Sequence, residues 1–270
     1  MARAEINGAE LNYELTGEGP AVVLVHEGVC DMRMWNELVE ALVPEFTVLR
    51  YDMRGYGEST LPPGPFSQSG DLIGLLDRAA IDRAALVGVS YGGRVALDTA
   101  FVARDRVAAL VLASSGLRDH DWSPTVTEFG DEEERLLDAG DVEAATELNV
   151  RLWVDGPDRG PDPGREEVRE RVREMQRRAF EIQVAAYEAD PPPGPEDPVV
   201  LRLGEIKAPT LVLVGDADVP DFREIADKLE AELPDARKMV LEDTAHTIPL
   251  ERPDEFRKLA LEFLREHPAS

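Results

Sequence analysis

Ser90 lies in Val87-Gly88-Val89-Ser90-Tyr91-Gly92-Gly93, a G-x-S-x-G pentapeptide with a further glycine behind it. Apolar Ala84 to Val87 leads into it, and Gly93 to Phe101 follows with a helical pattern. Strand, sharp turn and helix, in that order, is what a serine nucleophile requires. The turn holds the hydroxyl out at the C-terminal edge of a sheet. A side chain at Gly88 or Gly92 would collide with the neighbouring strand or helix. The competing reading is a glycine-rich turn that happens to contain a serine; the flanking pattern favours the nucleophile.

A serine hydroxyl needs a base, an acid to orient that base, and donors for the developing oxyanion. The chain has four histidines, His26, His120, His246 and His267. In enzymes with such a turn the acid and then the base follow the serine along the chain, so only His246 and His267 come late enough. His267 reads as part of a frayed tail. His246 stands in Glu242 to Pro249, directly after a predicted strand, which is the right place for the base. The acid belongs after the preceding strand, where Leu211 to Val214 runs into Gly215-Asp216-Ala217-Asp218. Asp218 lies far enough into that loop to turn back toward His246, whereas Asp216 is placed to bond the turn backbone. Asp119 and Asp121 are a weaker alternative. The expected catalytic set is Ser90, Asp218 and His246.

These residues need a frame. A chain of 270 residues with 43% hydrophobic content can bury one α/β core, with or without an insertion. Continuous apolar runs of buried-strand type occur at Ala21 to Val25, Thr47 to Tyr51, Ala84 to Val89, Val107 to Ala113, Thr210 to Val214 and Arg237 to Leu241. Helical patterns separate most of them, over Met34 to Leu42, Leu72 to Ala79, Gly93 to Ala103 and Phe222 to Leu233, and Pro253 to Glu266 reads as a closing helix. Asn7-Gly8 between short alternating segments marks an opening hairpin. The alternation predicts a mostly parallel central sheet with helices on both faces. From Leu117 to Ile206 it breaks. Asp131 to Ala139, Val142 to Val154 and Arg165 to Ala189 read as helices, and proline-rich loops at Gly156 to Gly164 and Pro191 to Pro195 bound the last of them. The expected organisation is a core of residues 1–116 and 207–270 with a helical cap, 117–206, inserted between its strands.

The formal net charge of −26 argues against nucleic acid and anionic membranes as partners. No apolar run approaches membrane-spanning length and the N-terminus carries no signal-peptide pattern, so the expected location is cytoplasmic. The lone Cys30 excludes an internal disulfide, and no cluster has metal-ligand spacing. Neither a metal nor a cofactor is needed for the chemistry above, and no oligomeric state is implied.

Val25-His26-Glu27-Gly28, Tyr51 to Ser59, the Ser90 turn, Gly215 to Asp218 and Ala245-His246 stand in the order found in the α/β-hydrolase superfamily. The chain resembles that superfamily over essentially its full length, and in tone its bacterial esterases and enol-lactonase-like members with a helical cap. The resemblance implies that the backbone N–H groups of Gly28 and Tyr91 form the oxyanion hole, with Val29 as a neighbour. It also implies a structural His26, and an Asp52 and Arg54 that hold loops by hydrogen bonds. Glu27 departs from the pattern, since many members have glycine there. A carboxylate beside an oxyanion hole opposes the charge that develops, so Glu27 is expected to point away and pair with Arg54 or Arg33, the alternative being contact with a substrate hydroxyl or amine.

Cys30 reads as a small buried hydrophobe, and Trp35 as packing for the first helix. Among the cap aromatics Trp122, Trp153, Phe129, Phe180 and Tyr187, some should line an apolar pocket, with Trp122 and Trp153 the nominated substrate contacts. The expected function is hydrolysis of a small-molecule carboxylic ester through an acyl-enzyme. The alternatives are lactone or macrolactone opening, C–C hydrolysis, acyl transfer or perhydrolysis on the same triad, and, from another class, a small-molecule receptor.

Overall fold

The computed structural model describes residues 1–188, 194–195 and 201–269. Its main sheet follows the apolar runs. The strands are β1 (Ala2–Ile6), β2 (Ala9–Thr16), β3 (Ala21–Val25), β4 (Thr47–Tyr51), β6 (Ala84–Val89), β7 (Val107–Ala113), β9 (Thr210–Gly215) and β10 (Ala236–Leu241). Two two-residue segments, β5 (Pro65–Phe66) and β8 (Gly194–Pro195), pair separately. The main sheet runs β1-β2-β4-β3-β6-β7-β9-β10, and only the pairings of β2 are antiparallel. Asn7 and Gly8 both have positive φ, 48° and 82°, as the two central residues of the opening hairpin turn must.

Strand periodicity divides the core between the two faces. Val22 and Leu24 of β3 pack with Val87, Val111, Trp35 and Phe256 on one face. Val23 and Val25 pack with Leu86, Leu110, Leu75 and Leu97 on the other. Helices α1 (Asn36–Leu42) and α9 (Pro253–Glu266) cover the first face; α2 (Gln68–Arg78), α3 (Tyr91–Val102) and α7 (Pro220–Glu232) cover the second. The short α8 (Ile248–Glu251) lies just before α9. Strand order reverses between β3 and β6, and in an open α/β sheet the crevice at the C-terminal ends of such strands is where ligands bind. His26 to Gly28 leave the end of β3, and Ser90 leaves the end of β6.

The region between β7 and β9 holds helices α4 (Pro124–Asp138), α5 (Val142–Asn149) and α6 (Glu166–Tyr187). Helix α4 starts seven residues before the expected Asp131 because Ser123-Pro124 opens it, with proline in the first turn where its missing N–H costs nothing. Val150–Asp155, of which Val150 to Val154 read from sequence as more of α5, is a wider π-helical segment ended by Gly156 at φ 90°. Ala189 and most of the proline-rich stretch Pro191 to Pro195 lie outside the described residues. Among the described residues no helix is long and apolar enough to cross a membrane.

One buried ion pair ties the hairpin turn to the loop after β4 and to α2. Arg54 Nε and Nη2 donate to Asp71 at 2.5 and 2.8 Å, Nη2 also reaches the carbonyls of Ile6 and Asn7, and both side chains are essentially inaccessible. Removing the cation leaves a buried carboxylate without its counter-charge. Arg54→Ala should lower unfolding free energy by about 3–5 kcal/mol in urea denaturation; a loss under about 1 kcal/mol would show that the pair does not carry this contact.

Candidate active site

Ser90 adopts φ 51° and ψ −115°, a conformation unfavourable for any residue with a side chain. The surroundings over-determine it. Its N–H donates to Ala113 O at 3.0 Å, and its carbonyl accepts from Arg94 N and Gly116 N at 3.1 and 2.9 Å. A Cβ on Gly88 would stand 2.5 Å from Gly92 O, and one on Gly92 would strike the carbonyls of Val25 and His26. Turn, strand β3 and helix α3 therefore touch backbone to backbone. Ser90 is the N-cap of α3 and Tyr91 its first residue, where N–H groups point out of the helix start. A Cβ on Gly28 would lie 3.7 Å from Tyr91 Cβ, so the two residues expected to supply oxyanion donors are neighbours.

His246 sits on the loop after β10 and Asp218 on the loop after β9. His246 Nδ1 lies 3.0 and 3.1 Å from the two carboxylate oxygens of Asp218. A carboxylate only accepts, so Nδ1 carries the proton and Nε2 is left with a lone pair. Asp218 Oδ1 also accepts from Val219 N at 2.7 Å, which fixes the carboxylate. Two bonds lock the two loops together: Ala217 N donates to Thr244 O at 3.0 Å and Thr244 N donates to Asp216 Oδ1 at 3.4 Å. Ala245 N donates to Glu251 Oε2 at 2.7 Å, tying the second loop to α8. Arg159 holds the other oxygen of Glu251 at 2.7 Å. Burial depresses the His246 pKa, but the charge and hydrogen bond of Asp218, with Glu27 adding to them, outweigh burial and leave it raised. Phe222 and Trp153 cover the imidazole, with ring centroids 4.3 and 4.7 Å away.

His26 is a different case. Met53 N donates to its Nε2 at 2.9 Å, so Nδ1 holds the proton and donates to Glu27 O at 2.7 Å. Both nitrogens are committed to backbone, and burial lowers its pKa, which keeps it neutral. Asp52 accepts from Met32 N, Glu58 N and Asn12 Nδ2, fastening two further segments to strand β2.

Glu27 does not pair with an arginine, contrary to expectation. Arg54 is held by Asp71, and Arg33 by Asp31 two residues away and by Glu174. Glu27 is instead fully buried. Its Oε1 accepts from Cys30 Sγ at 3.1 Å, and its Oε2 has no partner among the described residues. Burial pushes this carboxyl up to about 7; His246 opposes the rise and Asp218 adds to it. Burial and Glu27 together push the Cys30 thiol well above its ordinary value, so it is no thiolate.

A cavity of about 200 Å³ opens over Ser90. Ser90, His246, Gly28, Val29 and Trp153 line it, together with Tyr56 from the core. Helices α4, α5 and α6 contribute its roof through Phe129, Glu133, Asn149, Gln176, Phe180 and Gln183. Trp122 lies outside this lining and packs between His120 and Phe222, with centroids at 4.8 and 5.6 Å. Glu133, Asn149, Gln176, Gln183 and Phe222 were not legible as site residues. Phe222 had one available signal, its position in the first turn of α7, close behind Asp218.

The whole assembly has close counterparts. The family model described as "Alpha/beta hydrolase family" matches residues 22–259, and the chain belongs to that family. The enol-lactonase of Burkholderia xenovorans LB400 superposes with a TM-score of 0.79 at 28% identity, over 98% of this chain and 100% of that one. A thermophilic esterase from Thermogutta terrifontis gives 0.78 at 29% identity, over 98% and 99%. A Bacillus subtilis protein named as a putative 2-succinyl-6-hydroxy-2,4-cyclohexadiene-1-carboxylate synthase is 28% identical over 94% of this chain and 95% of its own.

The buried Glu27 has a measurable signature. Its carboxyl in the folded state, at about 7, lies above the ordinary 4.5, so the folded protein binds this proton more tightly than the unfolded one. That stabilisation is fully present below the ordinary value and lost as pH rises through about 7. Glu27→Gln should therefore shrink the fall in unfolding free energy between about pH 5 and pH 8 by on the order of 2–3 kcal/mol. Equal pH dependence in the two proteins would refute the buried, ionisable placement.

Proposed function

We propose that this protein hydrolyses a small carboxylic ester with Ser90 as nucleophile, His246 as base and Asp218 as the orienting acid. The observation that carries the reading is the Asp218-bound imidazole lining the same cavity as a serine held in a strained turn. Ser90 Oγ attacks the ester carbonyl while His246 Nε2 takes its proton. Asp218 stabilises the imidazolium, and the N–H groups of Gly28 and Tyr91 receive the oxyanion. His246 then protonates the leaving alcohol, and a water activated by the same nitrogen releases the acyl group. Residues 117–206 act as the cap over a core of 1–116 and 207–270. Val29 and Trp153 border the bound substrate. No cofactor enters the scheme.

The likeness to an enol-lactonase supports lactone opening by the same steps as a second reading. The cavity over Ser90 is below the 300–1,000 Å³ of drug-sized ligand sites, which favours a small acyl or alcohol group there; a macrolactone would require the roof to move.

Ser90→Ala should lower kcat by about 10⁴–10⁶-fold, measured on p-nitrophenyl acetate with the folded state checked by circular dichroism. Residual activity near that of the parent would refute the nucleophile. The base works only when neutral and its pKa is raised, so kcat/KM should fall on the acid side with a midpoint above the ordinary histidine value of 6.5. A midpoint below 6.5 would contradict the Asp218–His246 pairing as the source of that limb.

A further inference from the structure

The roof of the cavity is polar in a one-sided way. Trp153 Nε1 donates to Asn149 Oδ1 at 3.1 Å, and indole N–H is only a donor, so the amide orientation of Asn149 is fixed. Its Nδ2 then donates to Ala145 O and to Glu133 Oε1. The chain of bonds ends on a carboxylate that faces the substrate space. Gln176 lines the same cavity from α6. It is 3% exposed, and its Oε1 has no partner among the described residues. Among the described residues Gln176 Oε1 is thus an acceptor without a partner at a buried position, where leaving one unpaired is costly.

Charge runs the same way. Burial raises the Glu133 pKa and only the Asn149 bond opposes it, so no cation neutralises this group among the described residues. An adjoining cavity of about 560 Å³ shares Glu133 and Gln183 with the first and is also walled by Glu134, Asp138 and Glu188. Neither cavity has a lysine or arginine among its described lining residues.

Resting on the esterase reading above, we propose that the substrate carries a protonated amine in its acyl or alcohol group. This ammonium is received by the Glu133 carboxylate, which lines both cavities, with Gln176 in the roof of the first as its neighbour. Glu133 and Gln176 are thus specificity-determining residues and take no part in bond making. A protonated amine supplies the Glu133 carboxylate with the counter-charge that the described lining lacks, whereas an alkyl group of the same shape supplies none.

The test uses shape-matched esters that differ only in charge: dimethylaminoethyl acetate against isopentyl acetate, and ethyl dimethylaminobutanoate against ethyl methylhexanoate. In at least one pair the ammonium ester should have a kcat/KM higher by on the order of tenfold or more, the scale of a charge-assisted hydrogen bond. Glu133→Gln should collapse that ratio toward one. Gln176→Leu, which keeps the charge, should narrow it and carries the test if the first variant does not fold. Glu128→Gln makes the same charge change on an exposed part of α4 outside both cavities and should leave the ratio intact. A preference for the alkyl ester in both pairs, or a preference that survives both roof substitutions, overturns the proposal. Calorimetry on Ser90→Ala separates it from the esterase reading. Tighter binding of the ammonium ester without hydrolysis by the parent protein sinks the esterase reading alone, and hydrolysis without ammonium preference sinks this proposal alone.

Discussion

The backbone strain at Ser90 is the constraint on which the rest of the site depends. A residue at φ 51° and ψ −115° does not hold that conformation by itself; it costs on the order of 1–3 kcal/mol. Here the cost is offset by three hydrogen bonds to the Ser90 backbone and by glycines that let β3, β6 and α3 meet without side chains between them. The hydroxyl is consequently delivered to the end of the sheet, beside Gly28 and at the head of α3. Every other site residue is placed relative to that fixed point. The loops after β9 and β10 bring Asp218 and His246 to it, and the helices between β7 and β9 close over it.

Electrostatics sets the second constraint. Asp218 and Glu27 are buried carboxyl groups that both act on the His246 charge. Low dielectric makes each contribution larger than it would be in water. Asp218 is hydrogen-bonded to the imidazole and orients it. Glu27 accepts a hydrogen bond from the Cys30 thiol, and burial, with Asp218 adding to it, raises its carboxyl. The roof adds Glu133 and continues the acidic wall outward. A site built this way disfavours an anionic substrate and leaves acceptors waiting for a donor.

Much of the frame was legible because it rests on short-range rules. Ala21 to Val25 and Val107 to Ala113 are continuous apolar runs, and such runs have little alternative to a buried strand. Pro253 to Glu266 carries its own start and its own apolar face, and both bounds of α9 follow. Ser90, Asp218 and His246 could be nominated because each follows a strand end in the required chain order, and the structure sets His246 against Asp218 and lines one cavity with His246 and Ser90. Glu27 was misread because its nearest arginines were already held. Asp31 lies two residues from Arg33, and Asp71 reaches Arg54 only once α2 packs on the hairpin, a tertiary fact. The roof was illegible for the same reason. Asn149 and Glu133 are ordinary polar residues on helices until packing brings α4, α5 and the π-helical segment together, and nothing in Val150 to Asp155 announces a wider turn.

The most direct measurement is chemical trapping of the intermediate. The protein is mixed with p-nitrophenyl acetate, quenched in acid within the first turnovers, digested and analysed by mass spectrometry. The expected result is one acetyl group on the peptide carrying Ser90, formed with a burst of nitrophenol that matches the enzyme concentration. Hydrolysis that leaves Ser90 unmodified, with the acyl group on Cys30 or on no residue at all, would contradict it.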